Sequence, residues 1–254
     1  MTKTNPINPI NPINPINSVK DIIAKIQEEN KKNEDIKEKQ NIQLNALFQS
    51  IKQNYIYFIA VFFCLYKFKQ NKKYNSSYIQ LFGSFIAIAT IGHITHLISH
   101  HINCTELYKN LNLDNLVTRN YYSKKILNFT CSFLDFHDQT HHDLDVNKQF
   151  KNIVYEFCNN LVTQGLAIAL FIKFMDIRVI LLWAFMYASV HNINYLYVKP
   201  STHRDHHINP HTNYGIDFMD IILNTKYDWN DIEEHNHMAI NLLIISYVIS
   251  YFTE

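Results

Sequence analysis

Glycine is scarce in this 254-residue chain. There are four, and none sits in a phosphate-cradling loop or a dinucleotide fingerprint, which argues against a nucleotide enzyme and against built-in flavin or nicotinamide binding. No Gly-x-Ser-x-Gly is present, and none of the four cysteines (Cys64, Cys104, Cys131, Cys158) stands in a recognisable nucleophile context. Serine and cysteine hydrolysis are therefore disfavoured. The cysteines are widely spaced with no Cys-x-x-Cys pair, so neither a disulfide framework nor a thiolate zinc site is expected, and a reducing compartment is the default. Charge is balanced too: 23 Lys and Arg against 22 Asp and Glu give a net +1, which makes no electrostatic case for a nucleic-acid partner. The opening Met-Thr-Lys-Thr leads into polar repeats, with no secretory signal visible. Membrane insertion, if it occurs, must come from internal segments.

What the chain does contain divides it into three stretches. Residues 1–17 hold four tandem Asn-Pro-Ile units, Asn5 to Ile16. Proline at every third position removes backbone donors and disfavours helix, so this low-complexity stretch reads as extended or disordered. Residues 18–53 interleave Lys and Glu with sparse apolar positions such as Ile22, Ile26, Ile36 and Leu47. That is the pattern of a polar helical stalk, with a partner-binding helix as the competing reading. Composition changes sharply in residues 54–254, where Tyr55 to Tyr66, Tyr78 to Ile98, Leu161 to Phe174, Ile177 to Leu196 and Met238 to Phe252 are apolar runs. Each is shorter than, or barely equal to, the ~20 residues a helix needs to cross hydrocarbon. The expected architecture is an all-α integral membrane bundle of two apolar hairpins, about four membrane helices, with a histidine-rich metal cap and a C-terminal apolar helix. Hairpins that span and helices that dip into one leaflet both fit these lengths. A buried soluble core is the competing reading.

Histidine is abundant, fourteen in all, and most fall in three clusters. The first is Gly-His93-Ile-Thr-His96-Leu-Ile-Ser-His100-His101, at the end of the second apolar run. His96 and His100 are four apart and share one helix face, the geometry for gripping one ion. The second is Phe136-His137-Asp-Gln-Thr-His141-His142-Asp143, in which His137 and His141 share a face and His142 points elsewhere. The third is His203-Arg-Asp-His206-His207, where the three- and four-residue spacings bring all three rings onto one side, followed by His211. A lone histidine near an apolar surface is more often a satisfied structural residue than a ligand. Three clusters at helical spacing are different, because eight or more neutral imidazoles exceed one tetrahedral site and suit two metal ions side by side.

Chain tracing brings the clusters together. If both hairpins span or dip, His96, His100, His137 to His142, His191 and His203 to His207 all lie on one side. The Lys67 to Lys73 turn then lies on the other, where four lysines conflict with the positive-inside rule unless the first pair is re-entrant or the turn sits at a headgroup surface. Asp138, Asp143, Asp145 and Asp205 are placed to fix histidine tautomers, with helix capping as the alternative. Asn213-Tyr214-Gly215 reads as a turn in which Gly215 adopts a conformation other residues resist, with Tyr214 at or beside the site. His235 and His237 either complete the metal set or begin the terminal helix. His93, His101 and His211 stay unassigned.

The third cluster also carries a resemblance. His203-Arg-Asp-His206-His207-Ile-Asn-Pro-His-Thr-Asn213-Tyr214-Gly215 resembles the closing histidine box of the fatty acid hydroxylase and sterol desaturase superfamily, an HxxHH followed by Asn-Tyr-Gly. Downstream, Asp217 to Thr225 is similar to the stretch that usually follows, with Asn224 in place of the expected glycine. The family's earlier boxes correspond here to His96 and His100, then His137, His141 and His142, and its isolated histidine to His191. The middle box departs from the pattern, reading HxxxHH, and Tyr195 stands where some members place another histidine. The resemblance covers roughly residues 78–226. It implies a helical membrane enzyme, in the endoplasmic reticulum or an equivalent host membrane, with a cytosol-facing pair of irons (zinc as a substitute) that activates O2 and hydroxylates or desaturates a lipid C–H bond. It also implies a separate electron donor, such as cytochrome b5 and its reductase, since the chain lacks a His-Pro-Gly-Gly haem signature. A metal-binding membrane protein without turnover is the alternative, and a membrane-anchored scaffold a third.

Overall fold

The computed structural model describes residues 15–110, 120–136, 150–170 and 172–253. Among them all regular structure is helical. The helices are α1 (Pro15–Gln53), α2 (Tyr55–Gln70), α3 (Tyr78–His101), α4 (Cys104–Asn110), α5 (Tyr121–Leu134), α6 (Phe150–Leu161), α7 (Ile177–Ser189), α8 (Ser201–Ile208), α9 (Asp217–Leu223) and α10 (Ala239–Thr253). The chain forms two compact units that meet between Asn45 and Ala46, inside α1 and before the composition change at residue 54. In the first unit the few apolar side chains of α1, among them Ile23, Ile26, Ile36 and Ile42, are exposed. Helix begins at Pro15, within the last Asn-Pro-Ile unit, where a proline in the first turn has no partner for its missing N–H to lose.

The second unit is built on α2, α3, α7 and α10. Its core joins Tyr57, Cys64 and Phe68 of α2, Leu81, Phe85 and Ile88 of α3, Leu182, Trp183 and Met186 of α7, and Leu242 and Ile249 of α10. The terminal helix packs against both α2 and α7, and α3 packs against α7 and the end of α6. Other apolar side chains of these helices are exposed: Ile59, Phe62 and Phe63 on α2, Ile79, Ile86 and Ile94 on α3, Ile244 and Val248 on α10. Outside and inside are thus similarly apolar. Two helices are long and apolar enough to cross a membrane, Tyr78–His101 and Ile177–Val198. At 1.5 Å per residue each exceeds the about 30 Å of a hydrocarbon layer.

The third apolar run does not form the single helix its composition predicts. It breaks into the end of α6, a π-helical turn at Val162–Leu166 and a short Ala167–Ala169 segment. A buried polar stripe explains why this run differs from the others: Glu156, Asn160 and Gln164, spaced by four, all point inward.

The starts of α3 and α7 are tied together at one end. Ser77 caps α3 by accepting from Gln80 N at 3.0 Å, and Asp176 caps α7 by accepting from Arg178 N at 2.9 Å. The Arg178 guanidinium is fully buried, pairs with Asp176 at 2.6 Å and donates to the Phe68 carbonyl at 2.7 Å. Ser76 joins them through a 2.5 Å bond to Asp176. Because α3 and α7 start side by side and pack together, their histidine-bearing C-terminal parts meet at the other end.

Beyond α3, α4 and α5 pack against each other. Asp135 ends α5 and accepts from the backbone N–H groups of Cys104 and Thr105 and from the Thr105 hydroxyl, so one carboxylate caps α4. Cys104 and Cys131 are joined as a disulfide, with Cα atoms 5.0 Å apart. This corrects the expectation of unpaired cysteines: separation in sequence hid a proximity that helix pairing creates. Cys64 and Cys158 are free.

Candidate metal centre

The last two turns of α3 and the whole of α8 face each other across the Asn213-Tyr214-Gly215 turn. On α3, His96 and His100 lie on the buried side, and on α8 His206 is buried against them. Ring centroids are 5.0 Å apart for His96 and His100, 4.9 Å for His96 and His206, and 4.8 Å for His100 and His206. One ligand nitrogen from each falls within 4.8 Å of the other two. Small ring adjustments bring such a triangle to the about 2.1 Å of an imidazole–metal bond.

Tautomers are set by backbone. The Nδ1–H of His96 donates to the Tyr214 carbonyl at 2.5 Å, and the Nδ1–H of His206 donates to the Thr212 carbonyl at 2.6 Å. In each ring the proton is therefore on Nδ1, and Nε2 carries the lone pair a metal needs. The Tyr187 hydroxyl lies 3.4 Å from His96 Nδ1.

The other two histidines of α8 belong to a second group. His203 and His207 bring their Nε2 atoms to 3.1 Å, and the His191 ring lies 4.7 Å from His203. The first is the distance of a hydrogen bond between the two rings; among the described residues the group of three convergent donors is His96, His100 and His206. His191 reaches the second group from a π-helical turn, Val190–Asn194, that continues α7. Such turns insert one residue and recur at functional positions. The third cluster thus does not place its three rings on one side: His203 and His206 are 6.4 Å apart, and α8 supplies both groups.

His137, His141, His142, Asp138, Asp143 and Asp145 lie outside the described residues. Among the described residues the Asp205 carboxylate meets no histidine; it faces Arg204 Nε at 4.0 Å near the surface. The partners of the ligand rings are instead carbonyls of the turn after α8. Tyr214 is buried, its ring 5.8 Å from His100 and 6.0 Å from His206.

That turn is shaped by three residues. Asn213 has φ 53°, donates to the Thr202 carbonyl at 3.2 Å and accepts from Tyr227 N at 3.1 Å. The left-handed residue is thus Asn213 and not Gly215, whose need is for space: a Cβ there would stand 2.9 Å from His93 Nδ1. Asp220 accepts from Tyr214 N at 2.8 Å, Gly215 N at 3.1 Å and the Thr225 hydroxyl at 2.8 Å. Asn224 ends α9 with φ 58°, a conformation asparagine tolerates almost as glycine does, so the departure from the expected glycine leaves the backbone unchanged. Asn224→Ala is expected to lower the unfolding free energy by about 1 kcal/mol, with Asn224→Gly within a few tenths of wild type, in denaturant titrations.

His235 and His237 serve the scaffold in this structure. Asp217 N donates to His235 Nε2 at 2.9 Å, and burial pushes His235 down to about 4, so the ring is neutral. Asn194 Nδ2 donates to His237 Nδ1 at 2.9 Å. His93 is buried against Tyr214, 3.3 Å from the Thr225 hydroxyl, while His101 stacks on His211 nearer the surface.

Behind the second group stands Glu233, which the sequence reading missed. It accepts from the Tyr195 hydroxyl at 3.0 Å and the Thr202 hydroxyl at 2.5 Å, and the Tyr195 ring lies 4.4 Å from His203. A lone glutamate in Asp-Ile-Glu-Glu-His carries no local signal of such a role. Burial pushes Glu233 and Asp220 up to about 7, above their values in an unfolded chain. Both therefore bind protons more tightly when folded, and the stability this adds is complete below about pH 4 and lost as pH rises through 7. Buried His235, pushed the other way, costs stability as pH falls, so the carboxylate effect is read by difference: between pH 5 and pH 8 the thermal midpoint of metal-free wild type should fall relative to that of Glu233→Gln.

Comparison with protein families, characterised proteins and solved structures finds no match to this chain. What the centre can do follows from its donors. The convergent trio His96, His100 and His206, two of them with fixed tautomers, could hold an ion such as iron, zinc or copper and offers nothing to a hard, oxygen-seeking cation.

Proposed function

We propose that this chain is a membrane-embedded dinuclear metalloenzyme that uses O2 to hydroxylate or desaturate a C–H bond of a lipid. The observation that carries the reading is the convergence of His96, His100 and His206, with His96 and His206 held by the Tyr214 and Thr212 carbonyls in the tautomer a metal requires. His191, His203 and His207 supply the neighbouring position. Apolar side chains on the outer faces of α2, α3 and α10 support immersion in lipid, since water disfavours so broad an apolar surface.

Bound iron would supply the electron exchange with O2 that C–H oxidation needs. The chain's part is to keep six imidazoles neutral, aim their nitrogens, and exclude water with the apolar bundle beneath. Reducing equivalents come from a separate donor such as cytochrome b5 and its reductase, because no haem, flavin or nicotinamide motif is encoded. The histidine end faces that donor, and the host membrane is the endoplasmic reticulum or its equivalent.

A zinc-loaded protein without turnover is the second reading, favoured by the lack of any carboxylate among the described residues of the three-ligand group. Expression in a host membrane separates the two. The enzyme reading expects iron in the detergent-purified protein and a new hydroxylated or desaturated lipid in the host extract, absent with His96→Ala. Stoichiometric zinc with an unchanged lipid profile would overturn it in favour of the second.

A further inference from the structure

The end of the bundle away from the histidines carries charge that the proposed chemistry does not use. Lys67 and Lys69 close α2, and the turn to α3 adds Lys72 and Lys73. Three of them, Lys67, Lys72 and Lys73, line a cavity of about 420 Å³ with Gln70, Asn71 and Ser250. Among the described residues no carboxylate lies within ion-pair distance of any of these ammonium groups. Glu254 lies outside them. The neutral walls are committed to the fold: Asn71 Nδ2 donates to the Thr253 carbonyl, Asn71 Oδ1 accepts from Lys73 N, and the Ser250 hydroxyl donates to the Ser246 carbonyl.

Two opposing effects meet here. The cavity lies where α2 and α10 both end, and each helix C-terminus carries about half a negative charge, which draws lysines in and repels anions. Three ammonium groups outweigh the roughly one unit that two such ends provide. Among the described residues this leaves the cavity positive. Around it Tyr66, Tyr247, Tyr251 and Phe252 are all more than half exposed, and Lys67 Nζ sits 4.5 Å over the Tyr247 ring. Exposed aromatic rings interleaved with lysines at the ends of apolar helices mark the level of lipid headgroups. Toward the histidine end the exposed surface turns purely apolar, with Ile59, Phe62, Phe63 and Ile244.

We propose that this cavity binds the phosphate of an anionic phospholipid headgroup through Lys67, Lys72 and Lys73. Free phosphate offers the same oxygens, but the exposed apolar faces of α2 and α10 flank the cavity and give acyl chains a surface to lie along. The proposal rests on the membrane reading and is independent of the metal chemistry. It also gives these three lysines a role that does not depend on which side of the membrane they face.

Native mass spectrometry of the full chain in detergent tests it, with phosphatidylglycerol and phosphatidylcholine of matched acyl chains as probes. Wild type is expected to retain phosphatidylglycerol preferentially, to keep it against millimolar inorganic phosphate, and to lose the preference by about tenfold or more in Lys67→Gln/Lys72→Gln/Lys73→Gln. Lys31→Gln/Lys32→Gln/Lys37→Gln removes equal charge from α1 and should leave the preference intact. The single Lys72→Gln, in the exposed turn, should weaken it severalfold if the triple variant fails to fold. Equal retention of the two lipids, displacement by inorganic phosphate, or a preference surviving the triple substitution would each overturn the site. A chain that stays in the aqueous phase without detergent would overturn the membrane reading beneath it.

Discussion

His206→Ala is expected to give a folded protein that no longer retains metal. His206 completes the first group from the helix that also carries His203 and His207, its ring 4.9 Å from His96 and 4.8 Å from His100. Truncation removes one donor from the first site and frees the Thr212 carbonyl that held it. Loss of a mere supporting partner costs about 10–100-fold in metal affinity, so loss of a ligand should exceed that range. Stability should change less, by about 1–3 kcal/mol, because an imidazole is replaced by a small void at one end of the bundle. Metal content after dialysis, read beside a thermal melt, checks both parts. Full metal retention in a folded variant would remove His206 from the site.

Asp220→Ala is expected to be more damaging to the fold and nearly as damaging to the metal. This carboxylate accepts from two consecutive backbone N–H groups, at Tyr214 and Gly215, and from the Thr225 hydroxyl, all in the interior. Removing it leaves buried donors without an acceptor, at about 1–3 kcal/mol each, and the sum should reach about 3–5 kcal/mol after relaxation. The consequence for the metal is indirect. Once the Asn213-Tyr214-Gly215 turn loosens, the Tyr214 carbonyl no longer fixes His96, and affinity should fall about 10–100-fold. Asp220→Asn should show an intermediate loss, since its amide nitrogen would face a backbone N–H in place of an acceptor. Denaturant titration measures the first effect and competition with a chelator the second. An Asp220→Ala protein with wild-type metal affinity would separate the turn from the site.

Both expectations depend on features that the sequence exposes unequally. Helical spacing made His96 and His100 readable as a pair, since four residues fix a shared face whatever surrounds them. It failed for α8. There spacing alone put His203, His206 and His207 on one side, and only the packing of α3 against the α8 end assigns His206 to one group and His203 with His207 to the other. The long apolar helix at Tyr78–His101 was legible because nothing interrupts it. The run after Leu161 was not, because inward-facing Asn160 and Gln164 sit beside apolar neighbours that dominate a composition average.

The supports of the site were harder to see. Carboxylates near the histidines, Asp205 among them, were natural candidates to orient the rings, whereas the structure uses the carbonyls of Thr212 and Tyr214. A backbone carbonyl has no signature in a sequence. Its direction here depends on Asn213 in the left-handed region and on Asp220 seven residues later. Gly215 was readable as necessary but for the wrong reason: contact with His93, and not backbone conformation, excludes a side chain. The disulfide between Cys104 and Cys131 and the Glu233–Tyr195 bond both join residues far apart in the chain, which no local pattern reports.

If six imidazoles in two adjoining groups hold two metal ions, X-ray absorption of the purified, iron-loaded full chain should show a first shell dominated by nitrogen near 2.1 Å with the outer-shell scattering of imidazole rings, and a metal–metal vector of about 3.5–4 Å. A shell of oxygen alone, or metal that binds without any imidazole signal, would contradict that arrangement.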